Sequence, residues 1–213
     1  MEKEVNVSKE TIVFDVDGVL LKWESNLVHF CRDLGIPTNV VLETYSSHFH
    51  PGSAKMFGFH PDDFDSGIEM VMRYNMSHYG ATLSAYEDAV HIIPKLAEKY
   101  NLIALTCFGK GMDYYINRRS NLQAFFPGCF SELYCINPTD KKAELFRKIK
   151  SENQVIAYID DQDNHIREIN STLGFREPIQ VLKLNRYSPS EDFIQPDFTD
   201  MNQLYRHFTQ EQC

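Results

Sequence analysis

Five short apolar runs constrain this chain more than any other feature. "TIVFD" (11–15), "LIALT" (102–106), "ELYCI" (132–136), "VIAYID" (155–160) and "IQVLKL" (179–184) each have the length of a strand, about five or six residues. They are apolar without clean alternation, as a strand covered on both faces requires. Helical patterns lie between them. "PKLAEKYN" begins with proline, which a first helical turn tolerates, and runs into the second strand. "TDKKAELFRKIK" sets Ala143, Phe146 and Ile149 on one side, after a cap at Thr139 or Asp140. "HIREINSTLGF" closes on Gly174, read as a helix stop. Strands alternating with helices predict βαβ units and an α/β, doubly wound, mainly parallel sheet.

One interval breaks the rhythm. Between the first and second runs lie about 85 residues, far more than one crossover helix needs. "NLVHFCRDLGI" places Leu27, Phe30, Cys31 and Leu34 at helical spacing, ended by Gly35 and Pro37. "PDDFDSGIEMVMRYNMSHYG" reads as a second helix, with Asp or Ser near its start and Gly80 after it. Residues 22–86 are therefore read as a small helical lobe inserted into a core made of 1–21 and 87–213. The competing reading is a longer excursion packed on the same core.

Composition narrows the function classes. The 213 residues carry a net charge of −9 and no basic run, which argues against a nucleic-acid surface. The start, "MEKEVNVSKE", is charged and has no apolar signal core, and no apolar stretch reaches the ~20 residues of a membrane span. The five cysteines are irregularly spaced without a CxxC pair, so neither a disulfide framework nor a zinc site is indicated. A reducing, cytoplasmic setting is expected.

The first run ends in chemistry. In "TIVFDVDGVLL", Asp15 and Asp17 are two apart, so in an extended segment both carboxylates face one side. Gly18 lets the chain turn there. Burying carboxylates beside a strand is costly unless something pairs with them. A calcium loop fails, because the glycine and the alternate acidic positions of an EF-hand are missing after both Asp15 and Asp161. Gly109-Lys110-Gly111 lacks the P-loop frame. Thr106 ends the second run, Lys141 and Lys142 open a helix, and Asp160 and Asp161 end the fourth run. Open α/β sheets bind ligands outside the carboxyl ends of their strands, so these groups can meet in one crevice.

On these residues the chain resembles the haloacid-dehalogenase-like hydrolase superfamily, in its phosphatase branch. "FDVDGV", "LIALT", a lysine of "DKKAELF" and "YIDD" match that family's four motifs in order across residues 11 to 163. The resemblance implies a Rossmann-like core with a helical cap inserted after the first motif, at 22–86. It departs at Val19, where the family often has Thr, and at Cys107, where it often has Asn. Lys142 is the first choice for the third-motif lysine and Lys141 the second.

The resemblance also implies a mechanism. Asp15 would be the nucleophile, forming an aspartyl-phosphate. Asp15, the main-chain carbonyl of Asp17, and Asp161 would hold Mg²⁺, with Asp160 helping directly or through water. Thr106 and the lysine would bind the phosphoryl oxygens. Asp17 would protonate the leaving oxygen and then take a proton from water. Dehalogenases lack this acid, so Asp17 favours phosphate esters. The expected partner is a small phosphomonoester, with no nucleic acid and no membrane. "YIDDQD" loosely resembles the fourth motif of deoxyribonucleotidase-like members, which makes a nucleoside monophosphate one candidate. The alternatives are a sugar phosphomutase and a non-catalytic binding or regulatory protein on the same scaffold.

Other residues receive plainer readings. His48, His50, His60 and His78 read as surface or packing residues of the lobe. Met70, Met72 and Met76 read as lobe core, and Phe49, Phe57, Phe59, Tyr74 and Tyr79 can supply an apolar wall to the crevice but are read mainly as packing within the lobe. Arg118 and Arg119 could reach a substrate but are read as exposed helix charges, and no role is assigned to Asp163.

Overall fold

The computed structural model describes residues 9–47, 52–174, 177–186 and 194–210. In chain order, β1 (Thr11–Phe14) and β2 (Leu21–Lys22) lead through a 3₁₀ turn (Trp23–Asn26) into α1 (Leu27–Asp33) and α2 (Asn39–Ser47). Next come α3 (Ser53–Met56), α4 (Phe64–Asn75), α5 (His78–Ala81), β3 (Ser84–Ala85) and α6 (Glu87–Lys99). The rest alternates: β4 (Asn101–Thr106), α7 (Met112–Phe125), β5 (Phe130–Cys135), α8 (Lys142–Glu152), β6 (Val155–Asp160), α9 (Asp163–Asn170), β7 (Gln180–Lys183) and α10 (Met201–Gln210).

All five apolar runs are strands of one parallel sheet, in the order β5-β4-β1-β6-β7. Both faces are covered, as the apolar runs require. Along β1, Ile12 and Phe14 join one buried cluster with residues of α6, α7 and α10, while Val13 joins a second with Phe146 and Ile149 of α8 and Ile166 and Ile169 of α9. This is the period-two alternation of a pleated strand acting on two apolar faces. The first strand is central, flanked by β4 and β6, so the chain direction of crossovers reverses beside it. That reversal is the point at which such sheets open a crevice.

The long interval after β1 is helical. Its two ends are brought together by β2 and β3, which pair antiparallel as Leu21 with Ala85 and Lys22 with Ser84. Two residues per strand give no sequence signal, and this pairing is not foreseeable from the chain. Leu27, Phe30, Phe57 and Tyr74 belong to the same apolar cluster as Ile12 and Phe14, so the interval and the sheet share one continuous core. Arg186 anchors the base of the interval: Nη1 bonds to Asp88 (2.7 Å) and Nη2 to the Val19 carbonyl (2.9 Å), with the guanidinium 3.8 Å from the Tyr86 ring centroid.

Several helix ends differ from expectation. Pro94 lies inside α6, on its exposed side, rather than in a first turn. The buried neighbours Ile92, Ile93 and Leu96 hold the helix despite the bond that proline removes. The helix read through to Gly80 breaks at Met76, and Ser77 caps the short α5 by accepting from the Gly80 amide. Neither Thr139 nor Asp140 caps α8. Asp140 Oδ2 accepts from the Asn137 amide, and the Ala143 amide is satisfied by Glu168 of α9. The end of α9 falls at Asn170, four residues before Gly174. Met76 is exposed, unlike the lobe core it was read into, while Phe57 and Tyr74 are buried and Met70 and Tyr79 pack against the cluster. His60 and His78 are exposed. His48, His50 and Phe49 lie outside the described residues. Among the described residues the cysteines are unpaired, and no helix is long and apolar enough to cross a membrane.

Candidate active site

Strand order brings the separate motifs together. The carboxyl ends of β4 and β6 flank that of β1, so Thr106 and Asp160 stand on either side of Asp15. The Asp15 amide extends the sheet pairing by donating to Ile159 O (2.8 Å), which fixes its backbone against β6. Asp15, Thr106 and Asp160 are all buried.

The lysine pair resolves by burial. Lys142, at the first turn of α8, is fully buried and donates from Nζ to Asp15 Oδ1 (2.5 Å) and Asp160 Oδ2 (2.7 Å). Lys141 precedes it and is exposed. A buried ammonium is tolerable only because two carboxylates pair with it. Burial alone would discharge it, but Asp15 and Asp160 hold its pKa well above the usual lysine value.

Asp160 is the most heavily bonded acid. Besides Lys142, it accepts from the Tyr158 hydroxyl and the Gln162 amide (2.9 Å), and His165 Nδ1 lies 3.3 Å from its Oδ1. Burial opposes its ionisation, yet Lys142 and His165 prevail and hold the carboxyl below the usual range. Its oxygens are largely taken by protein donors. Asp161 is the contrast. Its Oδ1 is buried with no hydrogen-bond partner among the described residues, and burial with the neighbouring Asp160 and Asp15 charges pushes its pKa well up. Asp15 is itself raised to about 6, by burial first and only partly offset by Lys142.

These observations test whether a hard cation fits. Asp15, Asp160 and Asp161 each offer an oxygen within 4.8 Å of the others. The donor set is all carboxylate, burial and mutual repulsion push two of its acids above the usual range, and one buried oxygen of Asp161 has no partner among the described residues. A divalent cation with oxygen preference suits such a set. Gly18 makes room for it: at φ +80°, a Cβ there would lie 2.2 Å from Asp161 Oδ2. Asp163, left without a role by sequence, is taken by Lys183 Nζ at 2.5 Å.

Asp17 sits to one side of this cluster and is only partly buried. Its Oδ2 accepts from Arg118 Nη2 at 2.7 Å, its Oδ1 is buried, and the Thr106 side chain hydrogen-bonds to the carboxyl. Arg118 therefore corrects the reading of an exposed helix charge: it is fully buried on α7, packed 3.8 Å from the Phe108 ring centroid. Arg119 is exposed, as expected. Burial raises the Asp17 pKa, and Arg118 only partly counters it.

Sequence reading misses Tyr158 and His165, and it prefers an exposed position for Arg118. Tyr158 was recoverable, because it precedes Asp160 by two residues on one strand and so shares its face. Arg118 was recoverable too, lying four residues before the buried Leu122 on one helix. His165 had no signal: its approach to Asp160, and its Nε2 3.8 Å from Cys107 Sγ, depend on how α9 packs.

No protein-family model matches the chain. It is similar to an uncharacterised 32.4 kDa protein of Enterobacteria phage T4, 38% identical over 157 residues, which are 74% of this chain and 55% of that protein. The chain thus spans about half the length of the curated relative it matches. Among solved structures it is similar to the haloacid dehalogenase-like family protein SP0104 of Streptococcus pneumoniae, at TM-score 0.67 and 17% identity, covering 94% of this chain and 99% of that one. It is also similar to a phosphatase candidate of Clostridium difficile, at TM-score 0.63 and 15% identity, covering 90% and 93%. A third is the magnesium-bound candidate hydrolase YfnB of Bacillus subtilis, at TM-score 0.57 and 14% identity, covering 95% and 99%. Haloacid dehalogenases share the fold as well. At these identities the likeness is one of fold.

Proposed function

We propose that this chain, which has the fold of the haloacid dehalogenase-like hydrolases, is a Mg²⁺-dependent phosphatase of small phosphomonoesters. The observation that carries the reading is the pairing of two differently placed acids at one strand end. Asp15 is buried beside Lys142, and Asp17, two residues on, is partly exposed and held through Oδ2 by Arg118. A nucleophile and a separate proton donor are what ester hydrolysis needs and halide displacement does not.

In this reading an Asp15 oxygen attacks phosphorus as the bond to the leaving oxygen breaks. Asp17 gives its proton to that oxygen. Water then attacks the aspartyl-phosphate and passes a proton to Asp17, which releases phosphate and restores Asp15. Lys142 keeps Asp15 ionised and contributes positive charge beside the phosphoryl group. Thr106, whose buried hydroxyl lies beside Asp17, would donate to a phosphoryl oxygen. Asp15, Asp161 and the Asp17 carbonyl would hold Mg²⁺, and Asp160 would anchor Lys142. The ion supplies charge neutralisation that lets a carboxylate approach an anionic phosphoryl group. The lobe at 22–86 would act as a cap that covers the crevice, excludes water and selects the ester.

The test is a hydrolysis screen over nucleoside monophosphates, sugar phosphates and an aryl phosphate, with and without Mg²⁺, with 2-haloacids in parallel. Mg²⁺-dependent phosphate release supports the reading. Halide release without phosphate release, or full phosphatase activity in excess chelator, overturns it.

A further inference from the structure

We propose that the α4–α5 end of the inserted lobe is a fixed wall of the crevice, held down on the core by Asn75, and that substrate enters without that end lifting. The lobe joins the core through the β2–β3 pair, two residues on each side. Such short strands alone would leave it free to swing as a hinged lid. Asn75, the last residue of α4, supplies a second attachment and is only 1% exposed. Its Nδ2 donates to the Phe108 carbonyl (2.7 Å), and its Oδ1 accepts from Trp23 Nε1 (2.8 Å). Its own carbonyl accepts from Asn117 Nδ2 of α7 (2.7 Å). One residue thus binds the core twice and the entry to the lobe once.

A neighbouring bond repeats the pattern. Asn121, buried and one turn along α7 from Asn117, donates from Nδ2 to the Ala81 carbonyl at the end of α5 (2.8 Å). Asn117 and Asn121 are four apart, so both amides lie on the helix face turned to the lobe. The Tyr74 hydroxyl donates to the Trp23 carbonyl (2.7 Å), and the two rings pack edge to face with 5.0 Å between centroids. Tyr74 and Leu83 of the lobe and Leu122 of α7 belong to one buried cluster. Lifting this end would strip the Phe108 carbonyl and the Asn75 amide of their partners and wet Tyr74, which is fully buried. The loop it would pull on is close to the chemistry. Phe108 lies two residues after Thr106, and its ring centroid is 3.8 Å from the Arg118 guanidinium. Asn75 therefore holds this end of the lobe and the loop after β4 in one frame, and any opening of the crevice is left to the rest of the lobe.

The chain's single tryptophan, Trp23, reports on this corner. Its quenching by acrylamide is measured in wild type, Asn75→Ala and Asn117→Ala, each alone and with Mg²⁺ and inorganic phosphate. Asn75→Ala should raise the quenching constant by about twofold and Asn117→Ala by less, as a protected corner opens locally. Wild type should stay low, and Mg²⁺ with phosphate should leave it unchanged. Wild-type Trp23 as open as in Asn75→Ala, or a wild-type constant that moves with phosphate, would overturn the proposal. Should melting show Asn75→Ala unfolded, Asn117→Ala decides in its place, and a constant equal to that of wild type overturns it. A second assay reads turnover and rests on the phosphatase reading. Met76→Cys/Ile116→Cys places thiols at two exposed positions beside the Asn75–Asn117 bond. The double variant joined by a short bismaleimide is compared with the same protein capped by N-ethylmaleimide, so that the native cysteines are treated alike. Once peptide mass confirms the link, the joined protein should keep kcat/KM within about threefold of the capped one, because the pinned end does not move during turnover. A larger fall overturns the proposal. Wild type that hydrolyses no ester sinks the phosphatase reading and leaves the fluorescence comparison to decide.

Discussion

The two halves of the site are built on opposite principles. In one, Asp15, Lys142, Asp160, Tyr158 and His165 bond to one another across β1, β6, α8 and α9. In the other, Asp161 Oδ1 and two of the Arg118 nitrogens are buried without a hydrogen-bond partner among the described residues, beside Asp17 and Thr106. Buried polar groups are normally satisfied, so the contrast is informative. The first half spends its donors and acceptors on holding the fold and Asp15 in place. In the second they are left over, and under the proposed function they are the groups that would meet substrate and metal ion.

The largest effect should come from Asp15→Asn. It keeps the shape and leaves Lys142 its bond to Asp160, so circular dichroism and melting should be near wild type while turnover falls by on the order of 10³-fold or more. A folded variant with normal turnover would remove Asp15 from the chemistry. Next comes the metal. Chelation should abolish phosphate release and added Mg²⁺ should restore it. Asp161→Ala should raise the Mg²⁺ concentration for half-maximal activity more than Thr106→Ala does. Equal shifts would mean that the free Asp161 oxygen is not a ligand.

Lys142→Met tests the bonded half through stability. Removing the cation leaves two buried carboxylates facing each other, so urea denaturation should show a loss of about 3–5 kcal/mol. Lys141→Met at the neighbouring exposed position should stay within about 0.5 kcal/mol. Gly18→Ala is the smallest of the set. Its Cβ would meet Asp161 Oδ2, and its φ of +80° suits glycine, so Asp161 must shift. Roughly 10-fold lower activity at limiting Mg²⁺ is expected, recovered in part by excess ion, with a stability loss of about 1 kcal/mol. Unchanged metal dependence would show that Asp161 need not hold its observed place.

The strands were legible because their cause is local. A stretch buried on both faces must be apolar along its length, and all five runs appear within a residue or two of their expected ends. Helix ends were not. The first turn of α8 is satisfied by Glu168 from another helix, and Pro94 survives inside α6 because its neighbours are buried. Such ends answer to partners far away in the chain. The short β2–β3 pairing is likewise a product of closure, with two residues on each side.

The sequence by itself determined which side chains could carry chemistry: Asp15, Asp17, Thr106, a lysine of the 141–142 pair, Asp160 and Asp161, each at the end of an apolar run or the start of a helix. Only the tertiary structure decided how they divide. It buried Lys142 and exposed Lys141, saturated Asp160 while leaving an oxygen of Asp161 free, and buried Arg118 against Asp17. The physical reason is that residue type and spacing fix what a group can donate or accept, whereas its partners, its dehydration and hence its charge are set by elements that meet only when the sheet is assembled.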